Sequence, residues 1–185
     1  IGIDISNNSL LSTTNGKITF NGTGGNVVNS TSSNNHGIQI SSGSEVRSVN
    51  GDIQLTGNSG LTTNGEINHG ISVLASGKII STGDGNITLV GNSQSGTNTN
   101  MGIEVNNNSQ VISNKGNISF KGNSLAAGDN NYGIWIINKS TVQSTEGSIS
   151  LTGISKGTGN NNDGINIKDT STVQSIGAGS ITLDG

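Results

Sequence analysis

A Gly-Ile pair returns six times along the chain, at Gly2, Gly37, Gly70, Gly102, Gly133 and Gly164, with spacings of 35, 33, 32, 31 and 31 residues. A period of this length marks one supersecondary unit repeated: no unit buries its apolar face alone, and stacked neighbours share a continuous core. Each unit reads G-I-x-I, a polar turn, S-x-V-x-S, a turn ending in Gly, and x-I-x-L-x-G. The three apolar stretches are short and alternate with period two, which is the signature of strands and not of helices.

Aligned on the leading glycine, the apolar residues fall into columns. The first stretch contributes Ile3 and Ile5, Ile38 and Ile40, Ile71 and Val73, Ile103 and Val105, Ile134 and Ile136, and Ile165 and Ile167. Nine residues after each glycine come Leu11, Val46, Ile79, Val111, Val142 and Val173. The third stretch supplies Ile18 with Phe20, Ile53 with Leu55, Ile87 with Leu89, Ile118 with Phe120, Ile149 with Leu151, and Ile181 with Leu183. Three strands per turn, stacked on the same three strands of the next turn, enclose one narrow apolar column. The sequence therefore predicts a right-handed parallel β-helix over residues 1–185, one solenoid domain of about six coils beginning near 2, 37, 70, 102, 133 and 164. At a strand spacing of about 4.8 Å, six coils make a rod roughly 29 Å long.

Composition agrees once the fold is in view. Only 28% of residues are hydrophobic and 10% charged, with 30 glycines and neither Pro nor Cys in 185 residues. In a solenoid every strand pairs with the coil above or below, so a few inward aliphatics suffice and outward positions can be small and polar. Proline would remove a ladder donor in every coil. Serines such as Ser140 and Ser144, or Ser171 and Ser175, share the inward face with the central valine and are expected to stack as hydroxyl ladders. Gly16, Gly51, Gly85, Gly116, Gly147 and Gly179 precede the third strand, where a sharp corner is expected to need φ > 0. No run of eighteen apolar residues exists to insert into a membrane.

Between coils lie segments rich in Gly, Asn and Ser: TGGNVVNSTSSNNH, NSGLTTNGEINH, NSQSGTNTNM, NSLAAGDNNY and ISKGTGNNND. Loops at one fixed place in a solenoid emerge from one side and form a natural binding face. Their apolar residues Val27, Val28, Leu61, Leu125 and Ile154 suggest the other reading, in which the loops fold back as a partial fourth wall.

Chemistry-bearing residues are sparse. His36 and His69 each precede a Gly-Ile pair, in a column with Met101, Tyr132 and Asp163. Adjacent coils bring the imidazoles to roughly 5 Å, close enough to share a metal, yet no third ligand follows from the register. They are read as stacked surface residues. Trp135 is outward, in a column with Asp4, Gln39, Ser72, Glu104 and Asn166; an exposed indole stacks on sugars, but a covering loop is the expectation. The acids Asp4, Asp52, Asp84, Glu104, Asp129, Asp163, Asp169 and Asp184 are scattered over different columns, and no calcium nonapeptide occurs. With Arg47 the lone arginine and no acid pair in register, no catalytic, cofactor-binding or metal site is assigned and no enzyme is expected. N-x-[ST] triplets such as Asn86–Thr88, Asn117–Ser119 and Asn138–Ser140 are expected by chance in this composition. Eight basic against eleven acidic side chains argue against nucleic acid as a partner.

The phrase GIQISSGSEVRSVNGDIQLTG, with its five relatives, resembles the β-helical repeats of filamentous haemagglutinin-like bacterial exoproteins. The resemblance implies a large secreted or cell-surface protein whose shaft is this solenoid, serving adhesion, surface coating or filament formation. A glycan- or protein-binding module using the loops is the alternative, and a polysaccharide-degrading enzyme a remote one. The partners expected are further coils or end-to-end copies of the same protein, because the first and last coils carry the ordinary pattern without a polar cap; surface glycans or proteins of a host or neighbouring cell come second.

Overall fold

The computed structural model describes residues 1–26, 31, 33–62 and 64–185. Each coil contributes three strands. In the first these are β1 (Ile3–Ile5), β2 (Leu10–Thr13) and β3 (Ile18–Thr23); in the second, β4 (Ile38–Ile40), β5 (Glu45–Ser48) and β6 (Ile53–Asn58). The third coil holds β7 (Ile71–Val73), β8 (Lys78–Ser81) and β9 (Ile87–Ser93), and the fourth β10 (Ile103–Val105), β11 (Gln110–Ser113) and β12 (Ile118–Ser124). The fifth comprises β13 (Ile134–Ile136), β14 (Thr141–Ser144) and β15 (Ile149–Ser155), and the sixth β16 (Ile165–Ile167), β17 (Thr172–Ser175) and β18 (Ile181–Asp184). Like strands stack into three parallel sheets of six, running β1-β4-β7-β10-β13-β16, β2-β5-β8-β11-β14-β17 and β3-β6-β9-β12-β15-β18. The described residues contain no helix. The chain is a parallel β-helix.

The register is the one the columns require. Ile38 pairs with Ile71, Ile71 with Ile103 and Ile103 with Ile134, and all four are fully buried in a single internal file. Val46, Ile79, Val111 and Val142 form a second file, and Leu55, Leu89, Phe120 and Leu151 lie in a third. The interior is narrow because each coil offers few inward side chains, so stability rests on the register being shared by all coils. The end coils leave the inward Leu11 40% and Leu183 50% exposed, since each has a neighbour on one side alone.

One expectation about the corners is corrected. The glycines before the third strand do not have positive φ; among the described glycines, only Gly43 and Gly96 do. They are glycines because the coils touch there. A Cβ on Gly51, Gly85, Gly116, Gly147 or Gly179 would fall well inside van der Waals contact of the carbonyl oxygen of the equivalent glycine one coil back. At the first corner two successive residues adopt positive φ in every coil, from Asn7 (61°) and Asn8 (60°) to Asp169 (52°) and Thr170 (58°). Asparagine tolerates this conformation best. The cost at Ala75, Ser76, Lys139 and Thr170 is offset by a backbone ladder through the same corner, for example Asn108 N–H donating to Asn138 O at 2.9 Å and Lys139 N–H to Asp169 O at 3.0 Å.

The serine files are buried in the inner coils, with Ser171 and Ser175 of the last coil half-buried, and they do not bond hydroxyl to hydroxyl. Ser113, Ser144 and Ser175 donate to the carbonyls of Gly85, Gly116 and Gly147 in the preceding coil at 3.3, 3.0 and 3.1 Å. Ser140 and Ser171 instead accept the backbone N–H of Ser109 and Ser140, at 3.3 and 3.1 Å. Serine in these later coils is a crosslink between a side chain and the backbone of an adjacent coil, whereas the Ser48 and Ser81 hydroxyls of the same file are buried without a hydrogen-bond partner.

Candidate functional site

The loops do form a fourth wall, built from amides where sequence reasoning expected aliphatics. Two residues before each Gly-Ile pair stands an asparagine: Asn35, Asn68, Asn100, Asn131 and Asn162. The Oδ1 of each later member accepts the backbone N–H of the member one coil earlier, at 2.8 Å (Asn68 from Asn35), 2.9 Å (Asn100 from Asn68), 2.9 Å (Asn131 from Asn100) and 2.8 Å (Asn162 from Asn131). The Nδ2 of Asn131 and Asn162 donates to loop carbonyls one coil back, on Thr97 at 2.8 Å and Gly128 at 3.0 Å. Asn68, Asn100 and Asn131 are fully buried. The residue before each asparagine has positive φ (Asn34, Ile67, Thr99, Asn130, Asn161), which turns the loop back onto the rod. The signal was present in the sequence as the one invariant column inside the variable loops. Asn100→Ala leaves the buried Asn68 N–H without its acceptor and removes the donor to the part-buried Asn98 carbonyl, so a loss of about 2 kcal/mol is expected, read as a lower urea midpoint at unchanged m.

One residue further on, His36, His69, Met101 and Tyr132 cover the outer face of the first sheet. The histidines are buried (4% and 2% exposed), which corrects the surface reading, because the loop wall closes over them. Their rings stack at 4.8 Å with 24° between planes. Each Nδ1 accepts a backbone N–H from the next coil, His36 from His69 and His69 from Met101, both at 3.1 Å. With Nδ1 spoken for and the rings stacked, the two imidazoles do not converge on a shared ion, and no group of three metal-ligating side chains occurs among the described residues. His69 Nε2 lies 3.4 Å from Glu104 Oε2, which also accepts the Ser72 hydroxyl at 2.5 Å, while Oε1 accepts Asn106 Nδ2 at 2.9 Å. Burial lowers both imidazoles to about 3; for His36 the neighbouring His69 adds to the effect and Glu104 opposes it.

Trp135 is half-buried. Tyr132 stacks on the indole at 5.5 Å and 15°, and Lys168 Nζ stands 5.7 Å from its ring centroid. The loop aliphatics behave differently from the expectation of inward packing. Leu61, Leu125 and Ile154 are exposed by 42%, 46% and 46%, because the amide wall already fills the inner side; Val27 and Val28 lie outside the described residues.

Those three aliphatics line an open groove of about 550 Å³ with Asn58, Asn92, Gln94, Asn123 and Lys156. Its floor is a second asparagine file, this one half-exposed: Asn92 Nδ2 donates to Asn58 Oδ1 at 2.9 Å and Asn123 Nδ2 to Asn92 Oδ1 at 2.8 Å. The fold and its surfaces define a parallel β-solenoid with three sheet walls, a hydrogen-bonded loop wall and a groove along the loop side. No protein-family model, no curated protein and no solved structure matches the chain.

Proposed function

We propose that this segment is a structural shaft, a stiff non-catalytic spacer or fibre element of a large secreted or cell-surface bacterial protein that serves adhesion, surface coating or filament formation. The observation that carries the reading is the uninterrupted cross-coil ladder: three parallel sheets in one register, extended through corners and loops by the serine and asparagine files. Such a ladder puts backbone bonds along the rod axis in every wall, so bending or stretching the rod strains many bonds at once. The natural neighbours of the end coils are further coils of the same protein or copies of it, stacked on the unpaired strands of β1–β3 and β16–β18.

Pulling the tethered chain from its two ends in a force spectrometer tests the reading. The expected record is a series of force peaks, each releasing one coil of 31 to 35 residues, or roughly 110 Å of contour. A chain that extends smoothly without peaks is no shaft.

A further inference from the structure

We propose that the groove floored by Asn58, Asn92 and Asn123 is a binding site for a linear, uncharged polysaccharide lying along the rod axis. The site goes beyond the shaft reading and stands or falls separately from it.

The first reason is what the floor offers. A carboxamide has two N–H donors and an oxygen with two lone pairs. Within the file, Asn92 uses one N–H toward Asn58 and one lone pair toward Asn123, which leaves one donor and one acceptor side by side. A donor beside an acceptor on one planar group is the complement of two neighbouring sugar hydroxyls. The file repeats this pair at the coil spacing of about 4.8 Å, close to the advance of one ring in an extended pyranose chain.

The second reason is what flanks the floor. Leu61, Leu125 and Ile154 hold aliphatic surface in water, suited to the C–H faces of sugar rings, and Gln94 adds another amide. Lys156 is the one charged side chain of the lining, so nothing there recognises a polycation, and a single ammonium does not hold a polyanion against a chain of net charge -3.

The third reason excludes a peptide strand. Strand addition needs free main-chain groups, and the backbone here is already laddered: Ser59 N–H donates to Asn92 O at 2.8 Å, Leu125 N–H to Ser93 O at 2.9 Å and Lys156 N–H to Ser124 O at 2.9 Å. Recognition falls to side-chain amides and aliphatics, which is how a neutral glycan is read.

The fold itself supplies the variant that tests this. Ile154 occupies the same column as Asn58, Asn92 and Asn123, so isoleucine is tolerated there. The 185-residue chain and its Asn92→Ile/Asn123→Ile variant are run by native electrophoresis in gels cast with hydroxyethylcellulose, galactomannan, xylan or polygalacturonate. Retardation of the parent chain in at least one neutral gel is expected, weakened tenfold or more in the double variant and unchanged by Trp135→Ala. Should the double variant fail to fold by circular dichroism, Leu125→Asp, at a half-exposed side chain outside the core, is expected to weaken retardation in the same way. No retardation in any neutral gel, or retardation that survives the groove variants, overturns the site. So does a doubling of mass by light scattering that the double variant abolishes, because the occupant is then a second copy of the chain.

Discussion

Lowering the pH from 6.5 to 5 is expected to remove about 3 kcal/mol of folding stability through His36 and His69 alone. Both imidazoles titrate near 6.5 in an unfolded chain and near 3 in the folded one. Between those values the unfolded state binds more protons, so stability is intact above pH 6.5 and declines steadily as pH falls toward 3. The structural cause is specific. Each Nδ1 accepts a backbone N–H from the next coil, so a proton there breaks a rung of the loop wall and places a cation in a stack of two rings. The facing groups are each other, Glu104 and, for His36, the chain's amino terminus; Glu104 opposes the loss without cancelling it. Met101 fills the same column fully buried, so His36→Met/His69→Met is compatible with the fold. Urea titrations at pH 6.5, 6 and 5 are expected to show a steep decline for the parent and a nearly flat line for the double variant. Equal slopes would mean that the imidazoles are already protonated, or exposed, in the folded chain.

Gly116→Ala is expected to cost about 3 kcal/mol or more, although alanine adds one methyl group and the φ there is ordinary. The methyl would be driven into the carbonyl of Gly85 and toward Asn86 N, both backbone atoms fixed by ladders on either side. The serine crosslinks hold the coils at this distance, since Ser113 donates to that same Gly85 carbonyl. Relief requires two coils to separate along one edge, which loosens register in all three sheets. Gly25→Ala is the control: no atom of the described residues lies within 4 Å of its added methyl, and a change near zero is expected. Thermal midpoints of the two variants settle the comparison, and similar shifts would show that close coil contact is not what selects glycine before the third strand.

Both predictions turn on contacts that single positions do not announce. The repeat period, the three strands per coil and the inward files were legible because each is a local alternation repeated six times, and repetition turns a weak pattern into a register. The role of the third-strand glycines was misread because glycine answers two needs, positive φ and absence of a side chain, and the choice between them depends on the neighbouring coil. The histidines were misplaced to the surface for the same reason, as their burial comes from loops that a period-two reading leaves outside the strands. In the loops the aliphatics stand out by hydropathy, while the column that builds the wall is the asparagine two residues before the second to sixth Gly-Ile pairs.

By itself the sequence determined that the chain winds into stacked coils and which residues face inward, because alternation and period are properties of the chain's own order. Only the tertiary structure decided how the loops close, which amides are buried in the wall and which line the groove, and why Gly116 must lack a side chain. Those outcomes depend on distances between residues about thirty positions apart, and such distances exist only after the coils have stacked.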